Sequence, residues 1–174
     1  MQTKIFLFAI VLVFFSCDDN VELTDQRVFF EVHYVNFAWG YSNRGIVIDS
    51  MGNVSSFNLK ATNRWNYPDS LGYISCKAMN ENIALCDSVV KQISNDSLSF
   101  YVKQIDEAAR GKISEPVGVM YDAGGIEFIA YTFDHKTDRY KKVLLHQWGD
   151  FQITNNAPEA QNLHQWLMRV CDFY

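Results

Sequence analysis

The stretch Gly125-Ile126-Glu127-Phe128-Ile129-Ala130-Tyr131-Thr132-Phe133-Asp134, with the turn His135-Lys136-Thr137-Asp138 and the return run Tyr140 to Trp148, decides the fold class. β-Branched and aromatic residues dominate both runs, so they read as paired strands rather than as helices. The first run is apolar on both alternating faces, which places it in the middle of a sheet covered from each side. Gly149-Asp150 then turns the chain into Phe151 to Thr154, a short further partner.

Upstream, Arg27 to Phe37 has the same β-rich composition and reads as a first strand. Gly45 to Asp49 and Val54 to Leu59 flank Ser50-Met51-Gly52-Asn53, a hairpin turn that lacks the spaced oxygens of a calcium loop. An ordered loop with Trp65, Tyr67 and Pro68 leads to a short strand at Gly72 to Lys77. Between the two β regions the period changes. Ile83, Cys86, Val89, Val90 and Ile93 recur at helical spacing after Asn80, and Leu98, Tyr101, Val102, Ile105 and Ala109 do so after Asn95-Asp96. Gly111 stands where a helix end favours a left-handed residue. This spacing predicts a helical hairpin turning at Ser94 to Asp96. A last helix is predicted from Asn156 as cap with Glu159 three residues on, Pro158 in the first turn, and Ala160, Leu163, Leu167 and Val170 on one face. Residues 27–174 are therefore expected to form a single α+β domain. Its architecture is an antiparallel sheet with a helical hairpin and a C-terminal helix packed on one face.

The N-terminus reads differently. Lys4 precedes an unbroken apolar run of 11 residues, Ile5 to Phe15, which is the shape of a secretory signal peptide and too short to span a membrane. The run ends in Phe14-Phe15-Ser16-Cys17. Ser16-Cys17 resembles the lipobox of bacterial lipoproteins, while Phe14 and Phe15 fit only its looser Bacteroidota form. The resemblance implies a signal peptide over residues 1–16 and lipid on Cys17. The acidic stretch Asp18-Asp19-Asn20-Val21-Glu22 reads as part of a tether over residues 17–26. The expected address is the cell envelope, anchored by lipid, at an outer membrane and facing either the periplasm or the surface.

From residue 17 onward the chain has 14 Lys+Arg against 20 Asp+Glu, so it lacks the basic footprint of a nucleic-acid binder. With Cys17 used for lipid, Cys76, Cys86 and Cys171 remain. An odd number leaves at least one thiol outside any internal bridge, and spacing does not give the connectivity. His33, His135, His146 and His164 show no HxH or HExxH spacing and no CxxC occurs, so no metal and no cofactor is expected. No GxSxG, SxxK, P-loop or GxGxxG is present either. His146 with Asp150 as base and orienter for Cys76 or Cys86 would make a cysteine hydrolase. Asp122-Ala123-Gly124-Gly125 reads as a tight turn before a strand.

Phe37, Trp39, Tyr41, Trp65, Tyr67 and Tyr73 crowd the N-terminal half, several of them in expected loops. Trp39, Tyr41 and Trp65 are the candidate ligand-binding residues, since exposed aromatics stack on sugar rings or anchor protein interfaces. The stretches His33 to Tyr41, Gly45 to Asn53, Tyr121 to Gly125 and Leu144 to Asp150 resemble a group of exported lipoproteins of Bacteroidota. That resemblance implies a shared small domain and an envelope location, and no activity, cofactor or catalytic residue. The leading expectation is a membrane-anchored binding or interaction module with a protein or glycan ligand. The alternatives are an envelope or surface hydrolase using Cys/His chemistry, and a purely structural envelope protein.

Overall fold

The computed structural model describes residues 26–62 and 64–171. The expected signal peptide and Cys17, and all of the tether except Gln26, lie outside those residues. The fold is α+β. Its strands are β1 (Val28–Asn36), β2 (Ser42–Asp49), β3 (Asn53–Asn58), β4 (Tyr73–Ser75), β5 (Ser88–Gln92), β6 (Val117–Gly118), β7 (Gly125–Asp134), β8 (Arg139–Gly149) and β9 (Phe151–Thr154). The helices are α1 (Cys76–Ile83), α2 (Asn95–Val102), α3 (Ile105–Ala109) and α4 (Pro158–Val170). The strands form one sheet in the order β5-β3-β2-β1-β7-β8-β9-β6, with β4 added beside β8. The strand pairings among the described residues are antiparallel, and the two meanders meet where β1 pairs with β7.

Alternation along the central strands sends neighbouring side chains to opposite faces. Phe30 and Val32 of β1, Ile46 and Ile48 of β2, Phe128 and Ala130 of β7 and Leu145 of β8 face one way. They are covered by Leu98, Ile105 and Ala108 and by Ala160, Leu163, Trp166 and Leu167 of α4. The Trp166 ring meets the Phe30 edge at 5.0 Å and stacks on Tyr101 at 4.1 Å. On the other face Val47, Phe57, Ile129, Tyr131 and Tyr140 are covered by Leu59, Trp65 and Met79 of α1. Cover on both faces is why β7 reads as apolar without alternation, and it sits between β1 and β8 as that pattern requires.

The helical region departs from its sequence period. Ser75, not Asn80, caps α1, its hydroxyl accepting from Ala78 N at 3.2 Å. That helix ends at Ile83, Cys86 follows in a turn, and Val89 and Val90 lie in the exposed strand β5. The free edge of β3 overrides the helical spacing here: Asp87 N donates to Ser56 O and Ile93 N to Gly52 O, bracketing a β-branched pair suited to a strand. The expected turn at Ser94 to Asp96 is instead the start of α2, capped by Ser94. The predicted second helix breaks at Lys103–Gln104 into α2 and α3.

Gly111 is also not the left-handed residue its position suggested, since it is absent from the positive-φ glycines. A Cβ there would overlap Asn155 Oδ1 and crowd Ala157, so close approach requires the glycine. Asn155, which sequence reading passed over for Asn156, is buried. Its amide donates to Ala108 O at 2.8 Å and Leu144 O at 3.1 Å, while its oxygen accepts from Ala157 N, the cap position of α4. One side chain thus joins α3, β8 and the start of α4. Asn155→Ala leaves two buried carbonyls without that donor and is expected to lower stability by about 2–3 kcal/mol, read from the urea midpoint.

Candidate functional site

One end of the sheet gathers three loops: residues 37–41 after β1, 119–124 before β7, and 149–151 between β8 and β9. Asn36 begins the construction. Its oxygen accepts from Ala38 N at 2.8 Å, turning the chain out of β1, and its amide donates to Asp122 O at 3.1 Å. Tyr34 OH donates to Ala123 O at 3.2 Å. From the opposite side Asp150 Oδ1 accepts from Ala123 N at 2.7 Å, Asp150 N donates to Gly124 O at 2.8 Å and Val119 N to Asp150 O at 3.0 Å. Gly124 has φ +73° and no room for a Cβ against Val35 O and Asn36. Asp122 is held at φ 60°, which an Asp tolerates better than most residues. The 119–124 loop is therefore fixed from both sides.

Two adjoining hollows open at this end and share Asp150 and Phe151. One, of 490 Å³, is walled by Val119, Met120, Tyr121 and Asp122; the other, of 390 Å³, by Asn36, Phe37, Ala38 and Gln147. Phe37 packs on Tyr41 at 5.6 Å, and Trp39 stands between them in sequence with 83% of its surface exposed. Tyr121 is 98% exposed and Phe151 is 52% exposed. Trp39 and Tyr41 are thus on the loop that borders the cleft. Trp65 is not: it is buried, stacked on Phe57 at 4.1 Å and against the His33 ring at 5.4 Å, because Leu59 and Trp65 cover the second face. Tyr121, Asp122 and Phe151 were missed as site residues, and Asp150 was weighed only as the orienter of His146. Their only sequence signal was two Gly-Asp or Asp-x-Gly turns, each adjoining an aromatic residue.

A second polar feature lies beneath Trp65. Tyr131 OH donates to Glu31 Oε2 at 2.6 Å, and His33 Nδ1 lies 2.8 Å from Glu31 Oε1. His33 Nε2 lies 2.7 Å from Asn43 Oδ1, and the Asn43 amide donates to Tyr67 OH at 3.2 Å. Glu31, His33 and Asn43 are buried, whereas Tyr67 stacks on His33 at 5.5 Å and reaches solvent. Burial and the neighbouring Glu31 push the Tyr131 phenol well above its ordinary range, so it remains a donor.

His146 is on the other face. It stacks on His164 of α4 at 4.2 Å, with Thr154 Oγ1 3.4 Å from its Nδ1. Burial lowers the pKa of His146, and burial together with the His146 charge lowers that of His164 to about 4. His164 Nε2 is buried without a hydrogen-bond partner among the described residues. Cys76 and Cys86 pack on the opposite face, so the sheet separates them from His146. Burial raises the Cys76 thiol, and burial with Glu31 and Asp87 pushes Cys86 up to about 12, the reverse of an activated nucleophile. Asp150 is engaged with Ala123. The cysteine–histidine–aspartate set is therefore not assembled. Among the described residues no group of three His, Cys, Asp or Glu is placed to hold a metal ion, and no helix is long and apolar enough to cross a membrane.

Comparison with family models, with curated proteins and with solved structures returned no match. The site is accordingly read from its geometry.

Two outcomes follow. Glu31→Ala leaves His33 Nδ1 and Tyr131 OH in the core without their acceptor and is expected to cost about 1–3 kcal/mol for each stranded group, measured by urea unfolding. His146 and His164 bind protons less readily folded than unfolded. Their contribution to stability is whole above pH 6.5 and is lost as pH falls from 6.5 towards about 4. Melting temperature is expected to drop across that window, and His164→Phe to make the slope shallower.

Proposed function

We propose that the chain is an envelope lipoprotein, anchored by lipid on Cys17, whose folded domain is a binding module with its ligand seat at the aromatic end of the sheet. The observation that carries the binding reading is the paired hollow lined by exposed Phe37, Tyr121 and Phe151, with exposed Trp39 on the same loop as Phe37, on loops clamped to the sheet. Exposed apolar surface costs solubility unless something covers it, and a contiguous patch beside a concavity marks an interaction site. Fixed loops also reduce the ordering cost of association.

The placement suits an anchored protein. The chain enters β1 at Arg27 and leaves it at Phe37, so the cleft lies at the far end of the central strand from the N-terminal segment. Nine residues of strand separate the two ends, roughly 30 Å at ~3.3 Å per residue. A domain held by its N-terminus would present the cleft away from the membrane.

Both halves of the proposal are testable. Intact mass and fractionation of the protein made in a Bacteroidota host are expected to show a lipid-modified Cys17, and Cys17→Ala to lose the modification and the membrane association. Trp39→Ala/Tyr41→Ala and Phe151→Ala are expected to reduce retention on peptide and glycan arrays by about tenfold or more, the scale of an aromatic anchor, with the melting temperature unchanged. Arrays on which these variants match the native protein would sink the binding reading.

A further inference from the structure

We infer that the cleft takes a cationic group, and specifically a Lys or Arg side chain presented by a peptide; this rests on the binding-module reading and adds the chemistry of the ligand.

The charged residues lining the two hollows are Asp122 and Asp150, and neither hollow has a Lys or Arg in its wall. Asp150 gives one oxygen to Ala123 N, and Asp122 is joined to its neighbours through its backbone oxygen. Neither carboxylate has a cation beside it among the described residues. Arg44, on the adjoining strand β2, lies over the Tyr34 ring at 5.3 Å. By contrast, Asp69 and Glu127 elsewhere on the surface are paired with Arg139 and Lys142 at 2.5 and 2.7 Å.

Two uncompensated negative charges in a concavity with apolar walls focus potential that attracts a cation. The aromatic rims add ring faces, which favour a cation carried on an apolar stem over a small hydrated ion. Lys and Arg have that form. An acidic ligand would meet both carboxylates without a counter-charge. The chain's overall charge of −5 acts in the same direction at longer range.

The test uses the described domain in the full chain and a set of short peptides identical except at one central position, which carries Lys, Arg, Gln or Glu. Asp150→Asn keeps an oxygen for Ala123 N, and Asp122→Asn keeps a residue that tolerates positive φ. The double variant therefore removes charge while retaining the loop, with the melting temperature as the check. Titration calorimetry is expected to give the Lys and Arg peptides about tenfold or greater preference over Gln. The preference is expected to shrink to about twofold in Asp122→Asn/Asp150→Asn and in high salt. Should the double variant melt early, Asp122→Asn alone with the salt series gives the same comparison.

Native protein that binds Gln and Lys peptides equally, or binds no peptide, overturns the cationic inference. A neutral glycan held by the native protein and by the double variant, but lost in Phe151→Ala, would also overturn it while leaving the binding module in place. Failure of all peptides and glycans to bind would remove both.

Discussion

The antiparallel pairing of β1 with β7 holds the two halves of the chain together. It runs from Phe30 opposite Ala130 to Val35 opposite Gly125 and therefore closes a very long loop. Tyr131 and Glu31, hydrogen-bonded beside this seam, are 100 residues apart. Such contacts repay their entropy only after both meanders have formed, which makes the seam a late and cooperative event by topology. Both core clusters contain residues from β1 and β7, and the cleft takes one wall from each side of the seam. Neither core cluster, nor the smaller of the two hollows, exists in either half alone.

The buried Glu31–His33 pair bears on which pairing is adopted. The two residues are on the same face of β1, with Asn43 and Tyr131 supplied by strands on either side. A slip of one residue would turn both polar groups towards the helices and bring Phe30 and Val32 to the other face. Leaving those polar groups without partners is costly, so the network penalises the wrong register more than it strengthens the right one. That role accounts for polar residues in a strand whose remaining positions are largely apolar.

Strand identity was legible wherever composition and local turns agreed: Arg27 to Phe37, the Asp49 turn and the hairpin around His135 to Asp138 all correspond to observed elements. The segment Ile83 to Ile93 was not, because a helical period and β-branched residues coexist there and the open edge of β3 decides between them. Gly111 and Asn155 are linked only in three dimensions. Half of the site was visible, in Trp39 and Tyr41. Trp65 has the same composition signal but is used inward, and no local pattern distinguishes an aromatic that covers a sheet face from one that stands in solvent. Tyr121 and Phe151 are brought into the same patch by the meeting of two loops, which single-sequence periodicity does not encode.

The polarity of β1 also has a mechanical meaning. A pull between the entrance of the domain and an object seated at the cleft acts along the strand, from Arg27 towards Phe37. The ladders to β2 and β7 lie on its two sides, and their hydrogen bonds run across the direction of pull. Load is then shared by both rows at once, as in a lap joint, instead of peeling one bond after another. Rupture requires the central strand to slide past two neighbours while dragging Glu31 and His33 out of their enclosure. On the proposed reading, anchor and ligand would stand at opposite ends of β1 and load its two ladders in shear.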